Sequence, residues 1–76
     1  MTINELRNLY RHSQLVEAII EPSSTEGQWL VEFRHVHGGF VHLTDNHGEE
    51  CSYVDLDSAS KLAMAVGFQH VRVENE

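Results

Sequence analysis

Trp29-Leu30-Val31-Glu32-Phe33-Arg34-His35-Val36-His37-Gly38-Gly39-Phe40-Val41-His42-Leu43-Thr44 sets the architecture of this chain. The first half, from Gln28 to Val36, is rich in β-branched and aromatic residues. Its alternation places Trp29, Val31, Phe33 and His35 on one side of an extended strand. Gly38-Gly39 marks a tight turn, because glycine tolerates the positive φ that such turns need, and Phe40 to Thr44 returns as the next strand. A hairpin therefore occupies the middle of the chain.

The register of that hairpin controls its chemistry. A two-residue loop pairs His37 with Phe40 and His35 with His42, which gathers His35, His37 and His42 on one face, where imidazoles can chelate zinc or nickel. A three-residue loop shifts the parity. Val41 and Leu43 then join Trp29, Val31 and Phe33, and His42 moves to the opposite face from His35. Two further buried aliphatic side chains are worth about 3–6 kcal/mol, so the second register is expected, and with it no metal site. A histidine-based metal-binding protein using His35, His37 and His42 is the alternative.

Toward the N-terminus, Leu15 to Glu21 reads as a strand closed by Pro22, followed by the turn formers Ser23-Ser24-Thr25-Glu26-Gly27. Thr2-Ile3-Asn4-Glu5 is a capping box. A helix should run from there to Arg11, with Ile3, Leu6, Leu9 and Tyr10 in phase. Beyond the hairpin, Asp45-Asn46-His47-Gly48 turns into a short strand around Glu50 to Val54. Asp55 is placed to cap a helix over 56–66, whose stripe is Leu56, Ala59, Leu62, Ala63 and Val66, with Val54 and Ala59 as a hydrophobic staple. Gly67 follows as a C-terminal stop, Phe68 to Val73 is a last strand, and Glu74-Asn75-Glu76 is a polar end.

The expected fold is α+β: a single antiparallel sheet of four to five strands with two helices, in the order α-β-β-β-β-α-β. It makes one small domain over residues 1–76. If the second helix crosses one sheet face, the last strand returns antiparallel beside the first, giving the spatial order 5-1-2-3-4.

The frame Gly27-x-Trp29-Leu30-Val31-Glu32, then Leu43-x-Asp45-x-x-Gly48, then Tyr53-x-Asp55-x-x-x-Ala59-x-x-Leu62-x-x-x-x-Gly67-Phe68 resembles short uncharacterised proteobacterial proteins classed as domains of unknown function. The likeness spans Leu15 to Val73. It implies a helix, an antiparallel meander, a helix and a strand, and a bacterial origin. It carries no activity and no catalytic residues.

Composition narrows the function. A chain with 41% apolar and 22% charged residues has the balance of a soluble globular domain. No apolar run approaches the ~20 residues of a bilayer span, and no basic-then-apolar leader is present, so no membrane association is expected. The single cysteine, Cys51, cannot staple the domain, which points to a cytoplasmic protein. A net charge of −7 disfavours nucleic acid, whose affinity comes from cations meeting phosphates. The order helix, strands, helix also resembles double-stranded-RNA-binding domains, but the last helix here opens Asp55-Leu56-Asp57-Ser58, and carboxylates would repel the backbone.

Catalytic signals are missing. A reactive Cys51 would need nearby positive charge or a helix N-terminus, and its neighbours are Glu49 and Glu50, so it reads as a small buried or half-buried residue. The chain has no Ser-His-Asp order, glycine-rich phosphate loop or Cys-x-x-Cys pair. Neither a catalytic residue nor a cofactor is expected. Strand 15–21 has Leu15 and Ile19 on one face and Val16, Ala18 and Ile20 on the other, so both faces look apolar. Either the first helix covers the second face or a partner does. The resulting expectation is a non-catalytic protein-interaction or homodimerisation module, with a second copy or another protein as partner.

Overall fold

The computed structural model describes residues 1–74, so the expected polar end lies outside the described residues from Asn75 on. Its elements are α1 (Ile3–Arg11), β1 (Leu15–Pro22), β2 (Trp29–His35), β3 (Phe40–His42), β4 (Ser52–Tyr53), α2 (Leu56–Val66) and β5 (Val71–Val73). The α+β class, the two helices and the element order are those the sequence implies. Both helix starts are capped as expected. The Glu5 amide donates to the Thr2 hydroxyl while the Thr2 amide donates to the Glu5 carboxylate, and the Ser58 amide donates to Asp55 at 2.7 Å.

The hairpin adopts the three-residue loop. The Gly38 amide donates to the His35 carbonyl and the His35 amide to the Gly39 carbonyl, both at 3.0 Å, leaving Val36, His37 and Gly38 between them. Gly38 sits at φ 102°, the left-handed region that a type I turn with an added bulge residue requires. Phe33 therefore faces Val41, and Glu32 faces His42.

The sheet runs β3-β2-β1-β5, and β4 also pairs with β2. Here the structure corrects the expected 5-1-2-3-4 meander. β3 and β4 both run antiparallel to β2, so β4 continues the line of β3 after a sidestep instead of turning back beside it. Asp45 builds the sidestep by accepting from the His47 and Glu49 amides at 2.8 and 3.0 Å, and Thr44 bridges to Glu50. With that reversal absent, β4 points along β1. The α2 crossover then delivers β5 parallel to β1, pairing Ala18 with Val71 and Ile20 with Val73, and not antiparallel as expected.

A second correction concerns β1. Its pairing with β2 slips between Leu15 and Glu17, and this bulge turns Leu15 to the same side as Ala18 and Ile20. These three join Leu6, Val31, Phe33, Leu43, Ala59, Ala63 and Val66 in one core under both helices. The other sheet face is thus not broadly apolar, and α1 does not cover it. Instead α1 packs beside α2, where Arg7 donates to the Ala65 carbonyl at 2.8 Å. The stripe of α2 is narrower than expected, since Leu56 is exposed. Val54 is 74% exposed, too open to act as a staple.

Gly67 ends α2 at φ 145°, and a Cβ there would run into the ring of Tyr10, which itself stacks edge-on against Phe68. Gly67→Ala should cost about 1–2 kcal/mol from the backbone alone, with Tyr10 displaced in addition, read by chemical denaturation. Asp55→Ala should lower the denaturation midpoint more than Asp57→Ala. Ser58 amide bonding holds the Asp55 carboxyl below its ordinary range, so the cap contributes above the unfolded-state pKa and is lost as pH falls through the folded one. Equal midpoints for the two variants would misplace the cap.

Candidate functional site

The open sheet face, opposite the helices, carries the side chains that β1, β2 and β3 turn away from the core. Register sets Glu17 opposite Arg34, Ile19 opposite Glu32, and Glu32 opposite His42. Ile19 is 2% exposed although it faces away from the helices, and its cross-strand partners on either side are Glu32 and Arg72. The two arginines of this face both serve Glu17, Arg34 at 3.0 Å and Arg72 at 3.7 Å.

Glu21, Glu32 and His42 converge from three adjacent strands, with one ligand atom of each within 4.8 Å of the others. Glu32 is only 7% exposed, a rare state for a carboxylate without a guanidinium or ammonium partner. His42 approaches it with Nε2 at 3.2 Å, and the other ring nitrogen, Nδ1, lies 3.7 Å from the Glu50 carboxylate. Among the described residues no lysine or arginine pairs with Glu21 or Glu32. Hydrogen bonding to Glu32 raises the Glu21 carboxyl above its ordinary range. Burial and the Glu32 charge act in the same direction, and His42 opposes them. The contact with Glu32 therefore favours the protonated form of Glu21.

Of the three histidines singled out in the sequence, the structure separates one from the other two. His35 and His37 stay together at the hairpin, with ring centroids 5.4 Å apart and the His37 amide donating to His35 Nδ1 at 3.1 Å. His42 lies on the opposite face. Sequence reading missed Glu21, Glu32 and Glu50 as its companions. The signal was present in the hairpin parity, because a glutamate between Val31 and Phe33 shares its face with His42 once the loop has three residues.

Cys51 is half-buried and packs against the core, as expected. It lines a cavity of about 240 Å³ with Ile3, Leu43, Tyr53 and Leu62. Burial, with Cys51 alongside, pushes the Tyr53 hydroxyl up to about 12, so this tyrosine keeps its proton. A larger groove of about 620 Å³ runs between Tyr10, Leu15, Val16, Phe68 and Val71, where β1 extends past the start of β5.

The two sheet edges differ. Met1 caps one end of the β3 side: its amino group donates to the His42 carbonyl at 3.2 Å and its carbonyl accepts from the Thr44 amide at 2.6 Å. On the β5 side no described residue pairs with the outer edge. The Glu74 amide donates to the Ile20 carbonyl at 2.8 Å, so alternation turns the Val73 amide and carbonyl outward.

Glu21→Gln should retain a donor to Glu32 without needing a proton. A raised carboxyl contributes fully below its unfolded-state pKa, and that contribution is lost as pH rises through the folded value. The variant should therefore melt higher than the native chain near pH 8 and with it near pH 4. A gain at acidic pH, or none at alkaline pH, would contradict the shared proton.

No family model matches the chain, nor does any curated protein or solved structure with which it was compared.

Proposed function

We propose that the chain is a non-catalytic protein-interaction module of the cytoplasm that pairs with a second copy of itself through β5. The observation that carries this reading is the asymmetry of the edges: Met1 caps the His42 end of β3, while on β5 no described residue pairs with the outward Val73 amide and carbonyl, and the strand has no proline or bulge to guard it.

Charge selects the register of the pairing. An antiparallel contact centred on Arg72 would oppose two arginines, which is unfavourable. Centred on Val73, it forms a hydrogen-bonded Val73 pair and sets Arg72 against Glu74 of the other copy at the neighbouring positions, where side chains approach more closely. Arg72 already holds its own Glu74 at 3.2 Å, so the exchange keeps every charge paired. A two-fold contact of this kind uses the same patch on both copies and would join two five-stranded sheets into one. The half-exposed Val73 side chains would cover each other. The net charge of −7 supports a protein partner over nucleic acid, and a single half-buried thiol fits a reducing compartment.

Light scattering at micromolar concentrations should give twice the 8.7 kDa chain mass. Val73→Pro deletes the outward amide without touching the bonds to β1, and should give a folded monomer. Arg72→Glu should also weaken the pair, and the double change Arg72→Glu with Glu74→Arg should restore it. A monomeric native chain would sink this reading, and a Val73→Pro dimer would move the interface away from β5.

A further inference from the structure

The open face carries a second inference, independent of β5 pairing: we propose that Glu21, Glu32 and His42 bind a divalent first-row transition cation such as zinc, with Glu50 positioning His42 from its far side.

Ligand type and number fit such an ion. One imidazole and two carboxylates, with water in a fourth position, make a tetrahedral set for zinc. Calcium and magnesium demand six or more oxygens and are poorly served by it. Bonds of about 2.0–2.2 Å place neighbouring ligand atoms roughly 3.3–3.6 Å apart. The observed limit of 4.8 Å is closed by small rotations, and Glu21 and His42, both only half-buried, are free to make them.

Two further observations point the same way. Glu32 is a buried carboxylate that no arginine or lysine among the described residues neutralises, since Arg34 and Arg72 are both engaged by Glu17. A divalent ion would supply that missing charge. His42 also meets a carboxylate at each ring nitrogen, Glu32 at Nε2 and Glu50 at Nδ1. Metal-bound histidines commonly donate their second ring nitrogen to a carboxylate that fixes the tautomer and orientation of the ring, and Glu50, half exposed and 3.7 Å from Nδ1, needs to close only a few tenths of an ångström to fill that role. Glu50 reaches this position because the 43–51 sidestep bridges it to Thr44, two residues from His42.

The test is a calorimetric titration of the tag-free protein with zinc chloride, repeated with cobalt to read the visible spectrum of a low-symmetry site. One ion per chain at micromolar affinity is expected, undisturbed by millimolar magnesium. His42→Ala should weaken binding by at least about 30-fold and abolish the cobalt spectrum, and Glu50→Gln should weaken it about 10-fold. The double change His35→Ala with His37→Ala should leave both readouts intact. His42→Ala takes a neighbour from the buried Glu32, so circular dichroism checks that the variant is folded, and the exposed Glu50→Gln change gives a second readout that leaves Glu32 untouched. No stoichiometric binding, one ion shared by two chains, native affinity in His42→Ala, or loss of binding in the hairpin double variant would each overturn the proposal.

Discussion

Alternation along β2 is the constraint on which the rest of the molecule depends. This strand is paired on both edges, to β1 on one side and to β3 and then β4 on the other, so its parity propagates to every neighbour. Val31 and Phe33 point one way and call for cover; α1 and α2 both answer on that side. Glu32 and Arg34 point the other way, and across the ladder each meets one charged or titratable partner, His42 and Glu17, and one apolar one, Ile19 and Phe40. A slip of one residue would exchange the two faces and bury the charges under the helices. The three-residue loop at His35–Gly39 and the bulge at Leu15–Glu17 are the local devices that hold this parity.

The charged face is held by desolvated contacts more than by count of ion pairs. Pairs that are half exposed, such as Arg72 with Glu74, contribute little to stability because water screens them. Glu32 is different. It sits over Ile19 in a nearly water-free position, so its interactions with Glu21 and His42 are felt strongly, and loss of a neighbour leaves an uncompensated buried group. The same closeness that makes the cluster costly in isolation makes it responsive to a proton or a cation.

Local chemistry was the legible part of the sequence. Thr2 and Asp55 advertise their helices through spacing alone, and the apolar demand of Val41 and Leu43 selects the hairpin register from the pattern of residues. What stayed hidden depends on the backbone departing from a regular period. Nothing in Leu15-Val16-Glu17 announces a bulge, so an uninterrupted alternation made β1 look apolar on both faces. Likewise Asp45 to Gly48 reads as a reversing turn, and only the pairing of Ser52 and Tyr53 with β2 reveals a sidestep. That one reversal decided the direction of β5. The cluster was hidden for a similar reason: His35 and His37 drew notice by adjacency, while Glu21 and Glu32 lie far from His42 in the chain and meet it only through register.

The parallel contact of β1 with β5 bears on how the domain comes together. β1, β2 and β3 are joined by short loops and can zip as consecutive hairpins, whereas β5 must find β1 from the opposite end of the sequence. The entropy of closing that long loop is met only when α2 has settled on the sheet, so β5 is the natural last element to dock and the first to release. Until it docks, β1 offers a bare edge along Ala18, Ile19 and Ile20. Amides at this seam should therefore exchange with solvent through local opening, well before the β1–β2 ladder does, and the window in which a foreign strand could take the place of β5 is set by the packing of α2.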